Sequence, residues 1–127
     1  LYPESSRIGE CRKYLFEMED KLAYKELLNA QLYYNLGLYG GNNYRACVTT
    51  AENALRDFPD ASCKDDLGFV ILKAKAKEAS FSVEEKKKER YSEVVDEYYR
   101  YANEFPNGKH IKEANRILRD AKNKVDN

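Results

Sequence analysis

Apolar side chains recur every three or four residues in this chain, and no segment of useful length alternates apolar and polar with a period of two. That spacing is the mark of amphipathic helices, and it predicts an all-α fold of about five helices, the first unusually long. The first helix is expected from about Ser6 to about Tyr39, because residues 10 to 36 hold neither Gly nor Pro. It carries two slightly rotated stripes: Ile8, Cys11, Leu15, Met18 and Leu22, then Ala23, Leu27, Ala30, Tyr34 and Leu38. At 1.5 Å per residue such a helix is on the order of 45 Å long, enough to meet different neighbours along its course. "GGNN" at 40 to 43 stops it, since glycine accepts the left-handed cap conformation and Asn caps a following helix.

A second helix is expected from about Tyr44 to Phe58, with Tyr44, Cys47, Ala51, Ala54 or Leu55, and Phe58 inward, ended by Pro59. The third, from about Ala61 to Ser80, turns Leu67, Val70, Ile71 and Ala74 inward and places Asp65 and Asp66 at its positive end. Ser82 and Glu85 have capping-box spacing and predict a fourth helix from about Val83 to Phe105, carrying Tyr91, Val94, Val95, Tyr98 and Tyr101. A fifth follows "PNG", from about Lys109 to Lys124, with Ile111, Ala114, Ile117, Leu118 and Ala121 inward. The second and fourth helices match when Pro59 is set on Pro106, an offset of 47 residues (106 − 59). Tyr44 then falls on Tyr91, Cys47 on Val94, Ala51 on Tyr98, Ala54 on Tyr101 and Phe58 on Phe105; beyond the prolines Leu67, Val70, Ile71 and Ala74 fall on Ala114, Ile117, Leu118 and Ala121. Tyr2-Pro3, with Cys11, Tyr14, Leu15 and Met18, gives a third copy at a longer period of 56 residues (59 − 3). The chain thus reads as one helical-repeat domain over 1–127, a fragment of something longer, with units of about 3–58, 59–105 and 106–127. A helix pair cannot bury its apolar face alone, so neighbouring units must stack.

Composition narrows the functions. With 22 basic and 22 acidic residues among 127, there is no overall pull toward nucleic acid or anionic lipid. The apolar share of 43% suits a globular chain and leans on 11 Tyr, amphipathic residues that line grooves and helix interfaces. Apolar runs fall far short of a membrane span. Cys11, Cys47 and Cys63 match no zinc or redox spacing and read as small buried hydrophobes. Cys63, near a helix start, is the only foothold for a nucleophile, and no His lies near it in sequence. His110, the single histidine, makes neither metal site nor triad and is expected at the surface in the last helix's first turn. The acidic residues are interleaved with Lys and Arg, as on solvated helix faces, with Glu85 near enough to Lys88 for a weak pair in "EEKKKER". The reading is a chain that is not an enzyme and takes no cofactor or metal. Its candidate partner-binding residues are Tyr33, Tyr34, Tyr39, Asn42 and Asn43, around the end of the first helix. A mild basic face on the last helix (Arg116, Arg119, Lys122) comes second.

The spacing of Tyr, small and aromatic residues before each Pro resembles the second helix of a tetratricopeptide repeat, although the periods exceed that family's 34 residues. It implies a superhelix of antiparallel helix pairs presenting a groove to a peptide or another domain. Beyond this, the ordered set "YPESSR", "CRKYLFEMEDKLAYKELLNAQLYYNLGLY", "NNYRACVTTAENALRDFPD", "LGFVILKAKAKEASFSVEEKKKERY" and "DEYYRYANEFPNGKHIKEANRIL" covers nearly the whole chain. It resembles the C-terminal half of the BamD family, tetratricopeptide lipoproteins of the outer-membrane β-barrel assembly machinery, in their Bacteroidetes-type form. That resemblance implies a scaffold on the periplasmic face of the outer membrane, held by a lipid anchor outside this fragment. The implied partners are the POTRA domains of BamA and other assembly lipoproteins, with no nucleic acid among them. "NLGLYGGNN", between Tyr34 and Tyr44, is longer than the corresponding turn in family members, so the role of that region carries over and its individual contacts do not. The alternative is a tetratricopeptide-type adaptor from another pathway, taking a peptide or protein partner.

Overall fold

A computed structural model describes residues 3–126. Five α-helices follow one another: α1 Pro3–Leu36, α2 Asn43–Asp57, α3 Lys64–Ser80, α4 Glu84–Glu104 and α5 Ile111–Asp126. Among the described residues there is no strand, so the all-α expectation holds, with boundaries shifted by up to three residues. Each helix packs on the next in sequence, and α3 also touches α1 and α5. The result is two layers, α1, α3 and α5 in one and α2 and α4 in the other, with α3 central.

The core divides at α3. One cluster joins Ala23, Leu27 and Ala30 of α1 to Tyr44, Cys47, Val48, Ala51 and Ala54 of α2, and to Leu67, Val70, Ile71 and Ala74 of α3. The other joins Phe69, Leu72 and Ala79 of α3 to Tyr91, Val94 and Tyr101 of α4 and Ala114 and Ala121 of α5. Consecutive α3 side chains, Val70 to Leu72, are all buried because this helix is covered on more than one side. Alanines at the crossings let helices approach closely. The buried carboxylate of Glu97 is matched by Lys75 at 2.8 Å and Arg100 at 3.6 Å, as a buried charge requires.

The two Phe-Pro turns repeat in backbone detail. Phe58 (φ −131°, ψ 66°) and Phe105 (φ −127°, ψ 65°) close α2 and α4, and each donates its N–H to the carbonyl four residues back at 2.8 Å. Ala61 and Gly108 then donate to Phe58 and Phe105, Lys64 and Ile111 to Ala61 and Gly108, and Leu67 and Ala114 to Cys63 and His110. An aspartate from the preceding helix of the same layer caps each turn: Asp20 of α1 accepts the Ser62 N–H at 2.7 Å, and Asp65 of α3 accepts the Lys109 N–H at 3.0 Å. The Ser62 hydroxyl also donates to Asp20, and together the two bonds hold that carboxyl below the usual carboxylate range. The third copy's Tyr2 lies outside the described residues.

Several expectations need correction. The stripe Ile8, Cys11, Leu15, Met18 and Leu22 is exposed, because α2 and α3 pack on the Ala23, Leu27 and Ala30 side toward the other end of α1. Cys11 is therefore not a buried hydrophobe, whereas Cys47 and Cys63 are. Leu38 lies exposed in the turn after α1. Ser82 does not cap α4: its hydroxyl donates to the Glu78 carbonyl at 2.8 Å, and Val83 occupies the cap position without a side-chain bond. Lys87 with Glu84, at 3.1 Å, replaces the expected Glu85 pair with Lys88.

Candidate protein-docking surface

The α1–α2 turn is built by its glycines and asparagines. Gly37 (φ 58°) sits in the left-handed region and donates its N–H to Tyr33 at 3.1 Å. A Cβ there would lie 2.9 Å from the Tyr44 hydroxyl oxygen, so the site needs glycine for space as well as conformation. Asn42 caps α2 by accepting from the Arg45 N–H at 3.3 Å, and its amide donates to Glu78 at 2.7 Å. Asn43 donates to the Tyr39 carbonyl at 2.8 Å. Glu78 also pairs with Arg45 and Arg90, each at 3.2 Å, so one carboxylate ties this turn to α2, to the end of α3 and to α4.

The α3–α4 turn is held against the same end of the molecule. Phe81 stacks on Tyr44 with centroids 6.1 Å apart and planes at 11°, while Tyr34 meets Tyr44 edge-on at 5.7 Å. Around this fixed frame stand Leu38, Tyr39, Phe81 and Val83, all exposed, with Tyr39 the most exposed at 83%. Large apolar side chains grouped on a rigid rim are what an interface core requires.

The expected residues thus divide by role. Tyr39 belongs to the rim. Tyr33 and Tyr34 pack against the first core cluster, and Asn42 and Asn43 shape the turn, so these four build the surface more than they present it. Phe81 and Val83 complete the rim and were missed. A lone Phe directly after a helix end, in "ASFSV", was the available signal, but it reads equally well as a core residue. Arg116, Arg119 and Lys122 are exposed on α5, away from Ala114 and Ala121, with no ion pair among the described residues; Lys122 lies 5.9 Å from the centroid of the Tyr99 ring.

Elsewhere a concavity of about 290 Å³ lies where α1, α3, α4 and α5 meet, lined by Tyr34, Phe69, Lys73, Lys77, Tyr91, Glu113 and Asp120 among others. Lys73 sits 4.4 Å above the Tyr34 ring. Burial, with the nearby Tyr44, Cys47 and Glu113, raises the Tyr34 hydroxyl pKa.

The thiols give a direct check on this geometry. Burial pushes Cys47 up to about 11, with Lys73 opposing only in part, and burial together with Asp20 also raises Cys63. In dilute native protein at pH 7.5, about the usual assay range, one thiol per chain, Cys11, should react promptly with a disulfide reagent, and all three after unfolding. Prompt native reaction of Cys63 would overturn this reading of its surroundings. His110 is half-buried in the turn before α5, a correction to the surface expectation: it stacks on Phe69 at 4.4 Å and bonds Asp66 at 2.7 Å.

A scan of the chain against protein-family models gives no match, and a search of curated proteins finds no significant relative. Among the described residues no helix is long and apolar enough to cross a membrane.

Proposed function

We propose that this chain is a non-enzymatic protein-binding scaffold, a tetratricopeptide-like helical-repeat part of a BamD-like lipoprotein. It would work at the periplasmic face of the outer membrane, docking BamA-type POTRA domains or other assembly lipoproteins. The observation that carries the reading is the rim of Leu38, Tyr39, Phe81 and Val83, exposed apolar side chains on a frame fixed by Glu78 and Tyr44. The ordered resemblance along the chain and the Phe-Pro turn repeated at an offset of 47 residues (106 − 59) support it. Units of about 3–58, 59–105 and 106–127 suit such stacking.

Tyr39 lies outside both core clusters and its side chain is exposed, free to serve a partner, so Tyr39→Ala should leave stability within about 0.5 kcal/mol and weaken POTRA binding about tenfold. Unchanged affinity for Tyr39→Ala and for Phe81→Ala would remove this surface.

The second reading, an adaptor taking a peptide in another pathway, is favoured by the groove between α1, α3 and α5. There Lys73 and Lys77 stand on α3 and Glu113 and Asp120 on α5, none of them in an ion pair among the described residues, beside the aromatic Tyr34 and Phe69. Charge reversal at Lys73 that abolishes partner binding, with the rim variants silent, would select it.

A further inference from the structure

Leu38 and Tyr39 stand on the α1–α2 turn and Phe81 and Val83 on the α3–α4 turn, so the rim joins segments 42 residues apart in the chain (81 − 39). Its four side chains form one surface only while the two turns keep a fixed relation. Two links span them. One is the Phe81 ring stacked on Tyr44. The other is Glu78, which grips both turns at once. Its side chain reaches the first: Oε2 accepts from the Asn42 amide at 2.7 Å, and Oε1 pairs with Arg45 at 3.2 Å. Its main-chain carbonyl holds the second, accepting from the Ser82 hydroxyl at 2.8 Å and from the Phe81 N–H at 3.3 Å. Arg90 of α4 pairs with the same Oε1 at 3.2 Å.

The link depends on charge as well as shape. Two guanidiniums share one oxygen of a carboxylate whose side chain is only 12% exposed, so the negative charge is what lets the start of α2 and the start of α4 approach. An amide of the same size would still fill the space, but it would leave Arg45 and Arg90 facing each other without a counter-charge. We propose that Glu78 is a positioning residue for the rim: it makes two turns distant in sequence into one docking platform and raises partner affinity while its own side chain stays covered. Presenting the rim already assembled removes an ordering cost from binding. The proposal rests on the reading of the rim as the docking surface.

Amide hydrogen exchange of the free chain needs no partner and separates the two. In Glu78→Gln the Asn43 amide, bonded to Gly37 in the first turn, and the Ser82 amide, bonded to Ala79 in the second, should both exchange about tenfold faster than in the wild type. A carboxylate that only stabilised the fold would speed the buried amides of Val70 and Val94 and leave the locally opening turns alone; that pattern, or acceleration of one turn without the other, would overturn the proposal. Asn42→Ser gives an independent check, since serine keeps the helix cap but is too short to reach Glu78. It should speed Ser82 across the gap as well as Asn43, and an unchanged Ser82 would count against the link. Titration with POTRA domains then reads the docking: Glu78→Gln should weaken binding about tenfold, and unchanged affinity would overturn the positioning role. A wild type that binds no POTRA domain, with both turns accelerated in Glu78→Gln, would instead remove the rim as the docking surface, so the two failures read differently.

Discussion

Shortening either Leu67 or Leu72 to alanine should lower the unfolding free energy by about 3 kcal/mol, the cost of removing a fully buried leucine from a site that cannot collapse. Both side chains are 0% exposed on α3, but they belong to different clusters, Leu67 packing toward α1 and α2 and Leu72 toward α4 and α5. A chain of this length has a total stability on the order of 10 kcal/mol, so either change is a large fraction. Because α3 supplies residues to both clusters, the chain should unfold in one urea transition, and each variant should move the midpoint without splitting it. Two separated transitions in either variant would mean that the clusters are independent and that α3 does not couple them.

The second large effect belongs to the knot between the start of α3 and the α4–α5 turn. Asp65 accepts the Tyr101 hydroxyl and the Lys109 N–H, and Tyr101 is only 2% exposed. Asp65→Ala should therefore cost about 2 to 3 kcal/mol, since it leaves a buried hydroxyl and a turn N–H without their acceptor. Asp66 adds a pH dependence. Burial acts to raise its pKa, but hydrogen bonds from His110 and Lys109, with their charges, outweigh that and leave the folded value below the ordinary one. A depressed carboxylate contributes stability that is fully present above the unfolded pKa of about 4 and is lost as pH falls through the folded value. Wild type should thus lose stability more steeply than Asp66→Asn as pH drops below about 4, and the two curves should converge in acid. Parallel curves from neutral pH downward would show that Asp66 is not linked to folding.

Three of the four helix junctions were legible because a residue with one physical meaning marks each: the glycines at 40 and 41, Pro59, and Pro106; the α3–α4 junction was placed from a Ser82 cap that the structure does not make. The offset linking Tyr44 with Tyr91 and Phe58 with Phe105 was legible too, and the turns it marks share their hydrogen bonds. Which stripe of α1 packs was not legible. Ile8 to Leu22 and Ala23 to Tyr34 have the same periodicity, and only the reach of α2 and α3 along α1 decides between them. His110 shows the same limit. It lies in the turn segment "NGKHIKE", which reads as surface, but its partners, Phe69 and Asp66, come from a helix more than 40 residues earlier (110 − 66 = 44). On the candidate surface Tyr39 could be read from its place beside a Gly-rich turn. Phe81 and Val83 join it only because Glu78 brings the next turn to the same end, and a single carboxylate serving Asn42, Arg45 and Arg90 leaves no spacing to recognise.

Calorimetric titration of this chain, verified as helical by circular dichroism, with the POTRA domains of BamA from the same organism bears on the proposed role without intermediaries. A BamD-like scaffold should show saturable binding of about micromolar strength. No heat and no complex from a well-folded chain would contradict that role.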